Sequence, residues 1–306
     1  MGEASDARQR IGFIGLGSMG MGMARNLVQK GFRVAGFDLR REAVEALAAA
    51  GGDAAASAAE AARDAALLVV MVVNAAQAEA VLFGAAGAVQ NLPRGAVVLL
   101  GATVPASFAA ATAARLAETG HLMLDAPVSG GAAGAAAGTL TVMASGPAAA
   151  FAKAEPALAA MAGKVYRLGA EPGLGSTVKT VNQLLAGVHI AAAAEAMALG
   201  TRAGADPRAL FEVIANSAGA SWMFTNRVPH MLDGDFTPKS AVDIFVKDLG
   251  LVLDTGRALR FPLPLAAAAH QLFLMAAAAG HGGEDDSAVV KVYEACAGIR
   301  VRGQGQ

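Results

Sequence analysis

Short aliphatic runs alternate with alanine-rich stretches of helical periodicity through the first half of the chain. Residues 11–14, 33–37, 67–73, 96–100, 122–125 and 140–144 read as strands. Residues 18–30, 41–50, 76–83 and 106–119 read as helices. Strands separated by helices imply parallel βαβ units, with strands buried on both faces and therefore apolar without alternation. After residue 168 no strand pattern remains. Residues 175–200 form one nearly uninterrupted helical pattern, Gly200 and Gly204 punctuate its end, and Asp206-Pro207 has the form of a helix start. Further helical segments follow, with loops expected at Pro229, Gly234, Pro238, Pro262 and the run from Gly280 to Gly283. The pattern predicts an α/β domain over residues 1–172 and an all-α domain over 173–306, joined by the long helix.

Length and composition sharpen this outline. A chain of 306 residues suits two domains. With 55% hydrophobic and 16% charged residues it can bury enough apolar surface to exclude disorder. Aromatics are only 5%, so alanine and small aliphatics carry the apolar weight. Three stretches are apolar enough to raise the question of a membrane span. Residues 95–114 are interrupted by Thr103, Pro105, Ser107 and Thr112, and 261–280 by Pro262, Pro264, His270 and Gln271. Residues 65–73 are too few for the ~20 residues a span needs. The polar segment 1–10 lacks the apolar core of a signal peptide. The single cysteine, Cys296, excludes an intrachain disulfide, and a net charge of −1 gives no electrostatic case for nucleic acid. The chain reads as soluble, cytoplasmic and reduced, without membrane or nucleic-acid partners.

The strongest local motif is Gly15-Leu16-Gly17-Ser18-Met19-Gly20, between a predicted strand and a predicted helix. In such a loop the first glycine permits the turn, the second lets backbone approach a pyrophosphate, and the third lets helix pack on strand. The helix N-terminus favours the anion. Asp38 ends the next strand, near the spacing of about 20 residues at which an acid takes the adenine-ribose hydroxyls. The first domain is therefore expected to be a Rossmann domain. A carboxylate at position 38 repels a 2′-phosphate and favours NAD, although Arg40 and Arg41 could attract one. Gly15, Leu16, Gly17, Met19, Gly20 and Asp38, with Val73 and Asn74 at the end of the 67–73 strand, are the candidate cofactor residues.

Two further segments carry chemistry. Asp125-Ala126-Pro127-Val128-Ser129-Gly130-Gly131 follows a predicted strand, where parallel sheets bind ligands. Ser129 with the amides of Gly130 and Gly131 forms a donor cluster suited to a carboxylate, or else a plain glycine-rich loop. Lys179, Asn182 and Gln183 fall at i, i+3 and i+4 near the start of the long helix, a polar stripe among Leu, Ala and Val. The macrodipole and partial burial would lower the affinity of Lys179 for its proton, as acid–base work requires. Lys247-Asp248 lies among apolar neighbours and is expected to be partly buried. His189 and Glu195 read as packing or interhelix groups. The tract Glu284-Asp285-Asp286 reads as a solvated loop, with a lid or helix cap as alternatives. Histidines and cysteine show no metal-ligand spacing, so no metal is expected.

Together these segments, GLGSMG, DAPVSGG, GLGSTVKTVNQ and KDLG in this order, resemble the β-hydroxyacid dehydrogenase family, which includes 3-hydroxyisobutyrate dehydrogenases and tartronate semialdehyde reductases. The likeness runs from about Ile11 to Lys291. It implies that Lys179 is the catalytic acid/base and that Ser129, Gly130 and Gly131 bind the substrate carboxylate. It implies that Asn182 assists, that Asp248 contacts substrate, and that Thr103 and Lys247 lie near the cofactor. Residues 182–200, 217–230, 240–255 and 280–290 narrow the likeness to one branch, with a sugar acid as the hydroxy-acid substrate. Gln183 stands where many relatives carry asparagine, a change that keeps an amide. Dimers or tetramers are common in the family, so a homo-oligomer is expected. Imine reductases resemble the family but replace the lysine, so Lys179 argues against that activity. A non-enzymatic dinucleotide-binding module would be expected to lack the lysine and to carry a basic tail, which is not seen.

Overall fold

The computed structural model describes residues 9–302. The chain forms two compact units that meet in sequence after Lys179.

The first unit begins β1 (Arg10–Ile14), α1 (Gly20–Gln29), β2 (Arg33–Phe37), α2 (Arg41–Ala48), β3 (Asp53–Ala54), α3 (Ala58–Ala62) and β4 (Leu67–Val70). It continues α4 (Ala75–Phe83), β5 (Val97–Leu100), α5 (Ala106–Glu118), β6 (Leu122–Asp125), β7 (Val128–Ser129) and α6 (Gly131–Ala137). It closes with β8 (Leu140–Ser145), α7 (Ala148–Met161) and β9 (Ala162–Gly169). The strands form one sheet, with β3, β2, β1, β4, β5 and β6 side by side and parallel. Leu67 and Val69 of β4 enter the core on one face of the sheet, and Leu68 and Val70 enter the core on the other, all 0% exposed. Burial on both faces explains the unbroken apolar runs.

The far side of the sheet departs from the parallel expectation. β6 and β7 pair in succession along one edge of β8, both antiparallel, and β9 pairs parallel to its other edge. The link from Ser129 to Leu140 is shorter than the dozen or so residues a parallel crossover takes, so the chain turns back on itself. The strand expected to reach residue 73 stops at Val70, leaving Val73 and Asn74 in the following loop.

Helix α8 (Leu174–Arg202), 29 residues long, runs out of the first unit into the second. By length and composition it is long and apolar enough to cross a bilayer. One face of it enters the core of the second unit. Ile190, Ala194 and Met197 pack with residues of α10 (Trp222–Asp233), α11 (Val242–Leu259) and α12 (Pro264–Ala276). Phe245 and Phe273 stack at 5.2 Å in that core. The unit also holds α9 (Pro207–Ala215), N-capped by Asp206 as its sequence suggests, and α13 (Val290–Ala297). Pro229, expected to mark a loop, lies inside α10.

The acidic tract is not a solvated loop. Asp285 and Asp286 are both 0% exposed. Arg227 on α10 grips Asp286 through Nε at 2.5 Å and Nη2 at 3.1 Å. Asp285 accepts from Lys239 N and Ser287 Oγ, and its Oδ1 lies 3.1 Å from His230 Nδ1. Carboxylates can be buried here because each meets charged or backbone donors. Burial still pushes Asp286 up to about 6 beside Arg227, whereas the hydrogen bonds around Asp285 outweigh burial and hold it below the usual carboxylate range.

Candidate active site

The register of the first sheet sets the site. Phe37, Ile14, Val70, Leu100 and Asp125 lie in one row across β2, β1, β4, β5 and β6. Asp38, Gly15, Val73 with Asn74, Thr103 and Ser129 therefore all follow the carboxyl ends of adjacent parallel strands. That edge is where open α/β sheets bind ligands.

Gly15 adopts φ +93°, which an L side chain rarely takes, and a Cβ there would lie 2.3 Å from the Met71 carbonyl oxygen. Gly20 starts α1 so close to the loop that a Cβ would lie 1.9 Å from Gly15 O. Around Gly17 a Cβ would meet nothing within 4 Å. The loop is thus closed on its protein side and open at its middle glycine. No side chain caps the start of α1 and no acid lies in its first turn. An open middle and an uncapped helix start are what a bound anion requires.

Asp38 is held in place. Its Oδ2 accepts from Leu16 N at 2.7 Å, and its Oδ1 accepts from Arg40 N at 2.9 Å and Arg40 Nε at 3.2 Å. Burial pushes its carboxyl up, but these donors and the guanidinium charge bring it below the usual carboxylate range. The two arginines are sorted by the fold: Arg40 joins Asp38 and Leu16 O, whereas Arg41 pairs with Glu45 on α2. Asn74 caps α4, accepting from Gln77 N at 2.9 Å, and Val73 N donates to Gln77 Oε1 at 2.9 Å. Thr103 is half-buried after β5.

Ser129 pairs with Thr141 in the antiparallel ladder, and Gly130 and Gly131 turn away from it at φ +130° and +63° into α6. The β7–β8 pairing thus pins the proposed carboxylate cradle.

Lys179, buried at 7% exposure, sits in the second turn of α8. Its helix face holds more polar residues than the sequence stripe suggested. Ser176, Lys179, Thr180 and Gln183 are all buried, at i, i+3, i+4 and i+7. Asp125 reaches the start of that face. Its Oδ2 accepts from Gly173 N at 2.9 Å and Ser176 N at 2.8 Å, and its Oδ1 accepts from Ser176 Oγ at 2.6 Å. Burial pushes the Asp125 carboxyl up in spite of these donors. Asp125, Ser145 and Ser176 were not among the expected site residues. The only sequence signals were a strand-terminal acid and a serine three residues before the lysine.

Within the second unit a polar chain runs from α8 to α11. Asn182 Nδ2 donates to Gln183 Oε1 at 3.0 Å, and Gln183 Nε2 donates to Asp248 Oδ2 at 2.6 Å. Lys247 Nζ lies 2.5 Å from Asp248 Oδ1. Asp248 is 2% exposed, so the burial expected of this pair is complete for the acid, while the Lys247 side chain stays 24% exposed. Glu195 accepts from Tyr293 OH on α13 at 2.9 Å, the interhelix role expected of it. Among the described residues no group of three or more His, Cys, Asp or Glu could hold a metal ion.

The chain matches two family models. That of the NAD binding domain of 6-phosphogluconate dehydrogenase covers residues 10–169. That of the NAD-binding segment of NADP-dependent 3-hydroxyisobutyrate dehydrogenase covers residues 173–293. It is 61% identical to an L-threonate dehydrogenase of Cupriavidus necator over 97% of this chain and 99% of that protein. It is 54% identical to an L-threonate dehydrogenase of Escherichia coli over 92% of this chain and 94% of that protein. A crystal structure described as a 3-hydroxyisobutyrate dehydrogenase from Salmonella typhimurium superposes with a TM-score of 0.88 at 54% identity, over 93% of this chain and 99% of that one.

Proposed function

The chain belongs to the 3-hydroxyisobutyrate dehydrogenase family of NAD-dependent hydroxyacid dehydrogenases, and from that membership we propose that it oxidises L-threonate to the corresponding 2-oxo acid. The observation that carries the substrate is the 61% and 54% identity, over nearly the whole length, to two L-threonate dehydrogenases. NAD is the cofactor, and the open space at Gly17, the uncapped start of α1 and the held carboxylate of Asp38 fit it.

In this reading residues 1–172 hold the cofactor and residues 173–306 serve substrate binding and oligomerisation. The loop from Gly15 through Gly20, with Leu16 and Met19, holds the pyrophosphate beyond the Gly15 and Leu16 amides, which Phe37 O and Asp38 Oδ2 already engage, and Asp38 takes the ribose hydroxyls. Val73, Asn74 and Thr103 border the same ligand from the ends of β4 and β5. Ser129 and the amides of Gly130 and Gly131 hold the substrate carboxylate. That fixes C2 of the substrate for reaction, which is an entropic contribution. Bound NAD supplies the hydride acceptor. Lys179, in its neutral form, takes the C2 hydroxyl proton as the C2 hydride leaves, giving the 2-oxo acid, NADH and protonated Lys179. Asn182, three residues on along α8, steadies the hydroxyl and stabilises charge developing on its oxygen. Asp248 and Lys247 are assigned to substrate and cofactor by family likeness. Val181, Leu185 and Leu199 are exposed on α8, which supports a homo-oligomer. A cytoplasmic location, with no membrane or nucleic-acid partner, completes the reading.

The Salmonella structure, described as a 3-hydroxyisobutyrate dehydrogenase at the same 54% identity as the Escherichia enzyme, favours a second reading with that substrate. A panel decides: NADH formation at 340 nm with L-threonate, 3-hydroxyisobutyrate and other hydroxy acids, and NADH consumption with tartronate semialdehyde. L-threonate is expected to give the highest kcat/KM. A higher value for 3-hydroxyisobutyrate or tartronate semialdehyde overturns the first reading.

A further inference from the structure

Asp125 is a fully buried carboxylate to which the mechanism above gives no task. Its backbone belongs to the sheet, in register with Leu100 of β5 and Ser145 of β8. Its side chain belongs to the helix. Gly173 N, Ser176 N and Ser176 Oγ all donate to it from the first turn of α8 or just before it. Ser145 Oγ extends the grip, donating to Asp125 at 3.5 Å and accepting from Gly175 N at 3.0 Å. Packing at the junction leaves no slack. A Cβ on Gly175 would lie 2.4 Å from Asp125 O and 2.5 Å from Met143 O.

We propose that Asp125 is the positioning residue for Lys179. It locks the first turn of α8 onto the carboxyl end of β6, so that the acid/base and the carboxylate cradle at Ser129 are referred to one strand end. This deepens the reading of Lys179 as acid/base and rests on it. Ser176 and Lys179 are three residues apart on one helix face, so a shift of the first turn carries the lysine with it. The cradle is pinned separately by the β7–β8 ladder, so releasing the side chain of Asp125 moves the lysine and not the cradle. A helix cap that served only stability would need one acceptor and no contact with the sheet. Asp125 engages two elements and is shut off from water.

The test compares Asp125→Ala, Asp125→Asn, Ser176→Ala and Lys179→Ala, with kcat and KM for L-threonate and Kd for NAD measured on each. Asparagine keeps a carbonyl oxygen for Gly173 N and Ser176 N and can donate to Ser176 Oγ, so it retains most of the clamp. A misplacement of about 1 Å costs on the order of 100-fold in rate, and that fall in kcat is expected for Asp125→Ala. KM and Kd should stay within about threefold, the split that marks an interaction felt in the reacting complex. Asp125→Asn should recover kcat to within about tenfold of wild type. If Asp125→Ala does not fold, Ser176→Ala decides, with kcat lower by about threefold or more and KM and Kd unchanged. Unchanged kcat in the folded variant used overturns the proposal, as does a kcat loss matched by equal rises in KM and Kd. If Lys179→Ala turns over, the acid/base reading fails first. If it is inert while Asp125→Ala behaves as wild type, only the role of Asp125 falls.

Discussion

Gly17→Ala separates what the dinucleotide loop does for the fold from what it does for the ligand. Gly17 lacks the positive φ of Gly15, and a Cβ placed on it meets nothing within 4 Å. The fold should therefore accept alanine, and the less flexible unfolded chain should add about 0.4–1 kcal/mol of stability. In the proposed reading the pyrophosphate approaches backbone in that same open space, so the methyl group should weaken NAD binding. A tenfold rise in Kd corresponds to about 1.4 kcal/mol, and at least that is expected. Gly20→Ala is the contrast. Its Cβ would lie 1.9 Å from Gly15 O and 3.2 Å from Phe13 Cε1, so helix and loop must part. Overpacking of this kind costs about 1–3 kcal/mol, and that variant should lose Tm and NAD affinity together. Calorimetric titration with NAD and thermal melting of both variants supply the numbers. Wild-type NAD affinity in Gly17→Ala would refute the placement of the pyrophosphate.

Two further outcomes follow from the geometry. L-threonate carrying deuterium at C2 should yield reduced cofactor with one deuterium by mass spectrometry; unlabelled NADH would place oxidation at another carbon. Arg227→Leu should destabilise the protein by about 3–5 kcal/mol at pH 8, because a buried Asp286 carboxylate loses its partner. Asp286 sits at about 6 even beside Arg227 and must rise without it. A raised carboxyl favours the neutral form in the fold, so its burden appears as pH climbs through that range and fades on acidification. Urea unfolding at pH 5 should show a smaller deficit than at pH 8, and equal deficits would contradict the assignment.

The sequence was most legible where chemistry is local. The turn at Gly15, the acid at Asp38 and strands such as β2 and β6 follow from residues within a short window, and the structure places them as expected. The antiparallel turn of β7 onto β8 was not legible, because it depends on a pairing of Val128 with Val142 that no periodicity announces. Asp285 and Asp286 beside two glycines look solvated in sequence, yet apart from Ser287 the groups that let them be buried come from Arg227, His230 and Lys239, more than 40 residues away. The tie between Asp125 and α8 was not legible for the same reason, since its partners Gly173 and Ser176 lie 48 and 51 residues on. The stripe of Lys179, Asn182 and Gln183 was visible because helical spacing is local, but Asp248, which receives the Gln183 amide, is 65 residues from it.

In the proposed function this chain oxidises L-threonate with NAD through Lys179. The most direct measurement is the initial rate of NADH formation from L-threonate and NAD by the wild type and by Lys179→Ala, with NAD affinity determined for both. Steady turnover is expected of the wild type, and in the variant a loss of at least about 100-fold in kcat, at the lower end of what a positioned acid–base group contributes, with NAD still bound. Full activity in the variant, or none in a wild type that binds NAD, would contradict it.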